Sequence, residues 1–97
     1  SLEEQVMLAV IRTGEDAYGM NVRRELEEVT GRDVTIGSVY ATLDRLEAKG
    51  FVTSRRSSGA DTPSRRIFAV SPPGMASLVL TRDTRERLWL GVRLKSS

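Results

Sequence analysis

Three glycines and one Ser-Pro pair cut this chain into five pieces. Gly14, Gly31 and Gly50 each follow a stretch with helical apolar spacing, and Ser71-Pro72 opens another. A glycine just past the last apolar turn accepts the left-handed backbone that ends a helix, and proline in the first helical position starts one. The pieces therefore read as three helices, a segment of different character from 51 to 70, and a fourth helix.

Ser1 with Glu4 three residues on matches a capping box, and Val6 to Ile11 carry the first helix to Gly14. It is apolar nearly all round, so it is either central to the core or covered on its second face by another subunit. Asp16 is expected to cap a second helix from Ala17 to Thr30, with Tyr18, Val22, Leu26 and Val29 on one stripe. Thr35 is expected to cap a third helix running to Lys49. At about 100° per residue, Ile36, Val39, Tyr40, Leu43 and Leu46 face one way and Ser38, Thr42, Arg45 and Lys49 the other.

Two β-prone runs follow, Phe51 to Arg56 and Arg65 to Val70, joined by a polar link containing Gly59, Asp61 and Pro63. The last helix is expected to run from Pro72 as far as Lys95. Its apolar residues come in two groups, Met75 to Leu80 and Leu88 to Leu94, separated by the polar run Thr81 to Arg87. The second group lies too far along to share the first group's core, so the simplest expectation is an arm that packs on another subunit.

A chain of 97 residues is one modest domain, and at that size a partner subunit is a common source of extra stability. With neither cysteine nor histidine, disulfides and the commonest metal ligands and nucleophiles are excluded. No catalytic residues, cofactor or metal are expected. No run is apolar and long enough to cross a membrane, which points to a cytoplasmic protein. The net charge of +2 is too small to imply a polyanionic partner, but its distribution is uneven: Ser1 to Gly31 holds three basic and seven acidic residues, Phe51 to Val70 four arginines and one aspartate.

The fold class that results is mainly α with a small β-hairpin, order ααα-ββ-α, the layout of a winged helix-turn-helix. Residues 1–71 form the DNA-binding domain and 72–97 a dimerisation helix. The third helix becomes the reader of the major groove, and Thr35, Ser38, Thr42, Arg45 and Lys49 the residues that touch bases or phosphates. The Tyr40 ring packs inward while its hydroxyl reaches outward, to phosphate or to water. Arg55, Arg56, Arg65 and Arg66 flank the hairpin loop as a clamp on phosphates. Met7 and Ile11 on the first helix and Leu88, Trp89 and Val92 on the last are the expected dimer contacts, Trp89 as an anchor or as the wall of a pocket.

Taken together, Ala17-Tyr18-Gly19-Met20, the stretch Ile36 to Glu47, Gly50-Phe51-Val52, and Ser64 to Ser71 followed by Gly74 resemble the PadR family over nearly the whole chain. Ile36 stands where the family usually has proline, and Ile67 where it often has an aromatic residue. The resemblance implies a homodimeric, ligand-responsive regulator, usually a repressor, that binds a roughly palindromic operator and holds a small-molecule effector at the dimer interface. A single helix after the hairpin marks the short type of member. A different class remains open on the residues themselves: a winged helix that docks on proteins without touching DNA. An enzyme is disfavoured, since no nucleophile or acid-base pair can be assembled.

Overall fold

A computed structural model describes residues 1–57 and 63–94. Gly59 and Asp61 of the expected loop, and Lys95 at the expected end of the last helix, lie outside the described residues. Helix α1 spans Leu2–Thr13 and leads through a 3-10 turn, Gly14–Asp16, into α2 at Gly19–Thr30. After α3 at Ile36–Ala48 come strands β1, Val52–Arg56, and β2, Arg66–Val70, then α4, Pro72–Trp89. The strands are antiparallel, with Val52 opposite Val70, Ser54 opposite Phe68 and Arg56 opposite Arg66.

Local chemistry accounts for most of these boundaries. Ser1, Thr35 and Ser71 each accept a hydrogen bond from the backbone N–H three residues on, satisfying a donor that the first turn leaves orphaned. Gly31 takes a left-handed conformation (φ 69°) and its N–H closes α2 onto the Glu27 carbonyl.

Two ends differ from expectation. Asp16 does not cap α2: the helix begins two residues late, after Tyr18, which caps it without a side-chain bond. Ala17 is in a tight turn (φ −80°, ψ 64°) and Tyr18 is extended, because the Phe68 N–H donates to the Ala17 carbonyl at 2.8 Å and Tyr18 pairs with Ile67. Hydrogen bonds to a distant strand thus override the local capping signal. At the other end, α4 stops at Trp89 rather than near Lys95, since Gly91 adopts a left-handed conformation (φ 76°) after an extended Leu90.

The core is continuous through all three leading helices and the sheet. Val6, Val10, Val22, Val39, Leu43, Leu46, Val52 and Phe68 are all but sealed from solvent. Met7 belongs here as well. It is 3% exposed, inside the chain's own core, and so is not available as a contact to another subunit. The second apolar face of α1 is instead Leu8 and Ile11, each 43% exposed, and Met75 and Val79 of α4 line the same open cleft. An 18-residue helix such as α4 is about 27 Å long. Only its first half lies on the body, which gives the molecule extents of 57 × 29 × 20 Å. Beyond the bond from Arg85 to both oxygens of Glu4 on α1, Leu88, Trp89, Leu90, Val92 and Leu94 stand exposed.

The root of the arm is tightly fixed. Ser71 donates through its hydroxyl to the Gly50 carbonyl and through its N–H to the Phe51 carbonyl. Gly74 lies so close to Phe51 that a Cβ there would collide with the carbonyl oxygen, whereas a Cβ on Gly37 of α3 would meet nothing within 4 Å. Gly74→Ala should therefore cost about 2–3 kcal/mol of stability. Gly37→Ala should be neutral or stabilising by up to about 1 kcal/mol. Urea unfolding midpoints check the pair, and the opposite ranking would contradict the packing described.

Candidate nucleic-acid interface

Helix α3 presents an exposed face made of Gly37, Ser38, Ala41, Asp44, Arg45 and Ala48, opposite the buried Val39, Thr42, Leu43 and Leu46. The stripe expected from polarity, Ser38, Thr42, Arg45 and Lys49, is therefore the edge of this face and not its centre. Thr42 is a correction: it is fully buried, and its hydroxyl accepts a hydrogen bond from Arg45 Nη2 at 3.1 Å. The displacement has a simple origin. The middle of the exposed face is built from glycine and alanine, which hydropathy cannot assign to inside or outside, so the sequence pattern shifts toward the nearest polar side chains. Thr35 and Ser38 sit at the N-terminal end of the face and bond each other at 2.8 Å while Thr35 caps the helix.

The two cations at the edge are engaged by α1. Lys49 Nζ lies 2.8 Å from Glu3 Oε1 and Arg45 Nε 3.7 Å from Glu3 Oε2. The bond from Lys49, with the charges of Lys49 and Arg45 behind it, holds the Glu3 carboxyl below its ordinary value of 4.5 in spite of some desolvation.

Strand alternation separates the four hairpin arginines. Arg56 and Arg66 face each other across the sheet, while Arg55 lies on the opposite side with Thr53, Ile67 and Ala69, beside Gly14 and Glu15. Arg66 is a structural residue. Its Nη1 bonds Asp44 at 3.0 Å, its Nη2 bonds Glu47 at 2.8 Å, and its guanidinium stacks on Phe68 at 4.8 Å. Glu47 also accepts from Ser54 at 2.6 Å, so Arg66 and Ser54 of the hairpin are fastened to Asp44 and Glu47 of α3. Arg65 stacks on Tyr18 at 4.5 Å.

Between the start of α2, α3 and the hairpin runs an open groove of about 540 Å³ lined by Tyr18, Met20, Arg24, Tyr40, Arg56, Ser64, Arg65 and Arg66. Four guanidinium groups line it and no carboxylate does. Arg24, Arg56 and Arg65 make no ion pair among the described residues. Tyr40 packs its ring against Gly19, where any Cβ would strike it, and this close approach seats α2 on α3. Arg24, Met20 and Tyr18 were not anticipated as part of this surface. Arg24 stands on the most acidic stretch of the chain, where the average charge hides a cation that folding turns toward the hairpin. Among the described residues, no cluster of acidic side chains is suited to hold a metal, and no helix is long and apolar enough to cross a membrane.

An ααα-ββ-α frame with an exposed third helix and an adjoining basic groove defines a winged helix-turn-helix protein with a surface whose chemistry suits a polyanion. Residues 7–79 match the transcriptional regulator PadR-like family, and the chain belongs to it. This is a family of regulators and not of enzymes. Over 73 residues the chain is 34% identical to the transcriptional regulator Rv3488 of Mycobacterium tuberculosis, a span covering 75% of this chain and 66% of that protein. Its fold is similar to that of a PadR-like transcription factor from Bacteroides fragilis, with a TM-score of 0.78 at 23% identity, over 90% of this chain and 82% of the other. It is similar too to Bacillus subtilis PadR, solved in complex with operator DNA, with a TM-score of 0.67 at 17% identity over all of this chain and 52% of that one.

Because the Glu3 carboxyl titrates lower in the folded chain than in the unfolded one, its contribution to stability is present above its ordinary value and is lost as pH falls through the depressed one. Lys49→Ala should return the Glu3 titration toward 4.5, followed by NMR of the side-chain carboxyl. A titration that does not move would remove Lys49 as the cause.

Proposed function

We propose that this chain is a DNA-binding transcriptional regulator acting in the cytoplasm as a homodimer, with residues 1–71 as the reading domain and α4 as the dimerisation arm. The observation that carries the proposal is the groove: Arg24, Arg56 and Arg65, unpaired by any described carboxylate, lie next to the exposed face of α3. Charges of one sign gathered beside a helix that can enter the major groove neutralise phosphates and hold the reader in register. The operator complex solved for the Bacillus subtilis relative supports the same assignment. Ser38 and Arg45 are the proposed base-edge or phosphate contacts, with Thr35, Tyr40 and Lys49 at the rim and Arg55 on the outer side of the hairpin.

The dimer is supported by the arm. Leu88, Trp89, Leu90, Val92 and Leu94 together form an exposed apolar surface that an isolated chain would leave to water, and Ile11 with Leu8 on α1 offers another. A two-fold arrangement would give two reading heads, hence a palindromic operator. The shallow apolar cleft of about 290 Å³ around Trp89, bounded by Arg85, Leu88, Val92 and Leu94, is where we place an effector that releases a repressor from DNA.

Binding of the purified chain to its own upstream DNA and to scrambled duplex, titrated across salt by fluorescence anisotropy, tests the proposal. Tight, salt-sensitive preference for the upstream duplex is the expected result, and no binding at low salt would favour a protein-docking role. Arg56→Ala and Arg65→Ala should each weaken all duplexes alike and flatten the salt dependence by about one unit. Trp89→Ala should shift the dimer toward monomer in sedimentation, and an unchanged mass would take Trp89 out of the interface.

A further inference from the structure

Along the centre of the exposed face of α3 run Gly37, Ala41, Asp44 and Ala48. Three of the four have no side chain beyond a methyl group, so a flat partner can approach the helix axis closely, and Asp44 is the one group on that line able to reach into it. A carboxylate in the middle of a surface meant for DNA is at first sight misplaced, because it repels phosphate.

The structure treats Asp44 differently from its neighbour Glu47. Both oxygens of Glu47 are occupied, Oε1 by Arg66 and Oε2 by Ser54. Asp44 accepts from Arg66 through Oδ1 at 3.0 Å, while Oδ2 takes no hydrogen bond from any described residue, and the side chain is 60% exposed. Arg66 is itself held by Glu47 and by the Phe68 ring, so its position does not depend on Asp44. The result is a charge-compensated carboxylate, fixed through one oxygen, whose other oxygen is a free acceptor on an exposed side chain.

We propose that Asp44, positioned by Arg66, is a base-reading residue that accepts a hydrogen bond from the exocyclic amino group of a cytosine in the major groove. The assignment rests on the DNA-binding proposal above. In the major groove, guanine presents acceptors at N7 and O6 and thymine an acceptor at O4, all of which repel a carboxylate. Adenine offers an amino donor but sets the N7 acceptor beside it, whereas cytosine N4 has no acceptor on its own ring facing the groove. The Arg66 bond lowers the repulsion that Asp44 would exert on flanking phosphates and leaves its selectivity for an amino donor intact.

The test is enrichment of tight binders from a randomised duplex pool by the wild-type chain and by Asp44→Ala and Asp44→Asn. Because the side chain is exposed, neither change opens a cavity, and urea midpoints verify that each variant is folded. The expected result is a cytosine in the wild-type pool whose preference falls about tenfold with Asp44→Ala, other positions being kept. With Asp44→Asn that position should turn toward adenine, whose N6 and N7 match a carboxamide. Arg66→Lys, which cannot grip both carboxylates, should blur the same position more than any other. If Asp44→Ala binds every duplex more tightly by one common factor, or leaves all preferences unchanged, Asp44 is only a source of repulsion and the assignment is overturned. A wild-type chain that enriches nothing and shows no salt-dependent binding would overturn the DNA-binding proposal, and this one with it.

Discussion

Two five-residue strands do not hold together in water by themselves, so everything this chain displays around its hairpin depends on how the hairpin is fastened to the helices. Phe68 does so twice, burying its side chain in the core that Val39, Leu43 and Val52 also belong to and donating its N–H to the Ala17 carbonyl. Arg66 adds the lateral tie to Asp44 and Glu47. Since the Phe68 bond and the Tyr18–Ile67 pairing keep residues 17 and 18 out of the helix, they determine where α2 begins, and through Tyr18 where Arg65 lies. The groove is the space left between the parts that this fastening brings together.

Pairing, more than composition, determines the electrostatics of the surface. Fifteen basic residues against thirteen acidic ones leave little net charge. Folding then places carboxylates against particular cations: Glu3 by Arg45 and Lys49, Asp44 and Glu47 by Arg66, Glu4 by Arg85. Exposed pairs of this kind add little stability each. Their larger effect is subtraction: among the described cations left without a partner, Arg24, Arg56 and Arg65 lie together along one groove. The same reasoning sorts Arg66, a fastening residue, from Arg65, a residue open to a ligand.

The arm follows from a different constraint. The Ser71 and Gly74 contacts with Gly50 and Phe51 aim α4 from its root, and Leu78 is its last side chain buried on the body. Past the bond from Arg85 to Glu4 the helix stands clear of the body, although its sequence becomes apolar again. That exposed apolar surface is the basis of the proposed dimer.

Much of this architecture is already determined by the sequence, because it depends on short-range physics. Gly31, Thr35 and the Ser71-Pro72 pair end or start helices through hydrogen bonds and torsions that involve only neighbouring residues, and the two apolar groups of α4 are visible as spacing. The split of Arg55 from Arg56 also follows from alternation along a strand. Other features required the tertiary structure. Asp16 is a sound cap that loses to a strand more than fifty residues away, Thr42 is polar yet buried because the true outer face of α3 is glycine and alanine, and Met7 is apolar on a helix that is apolar on every side, so periodicity cannot say which face meets the core. Each of these depends on which distant surface arrives to cover a residue, and that is decided only when the hairpin docks.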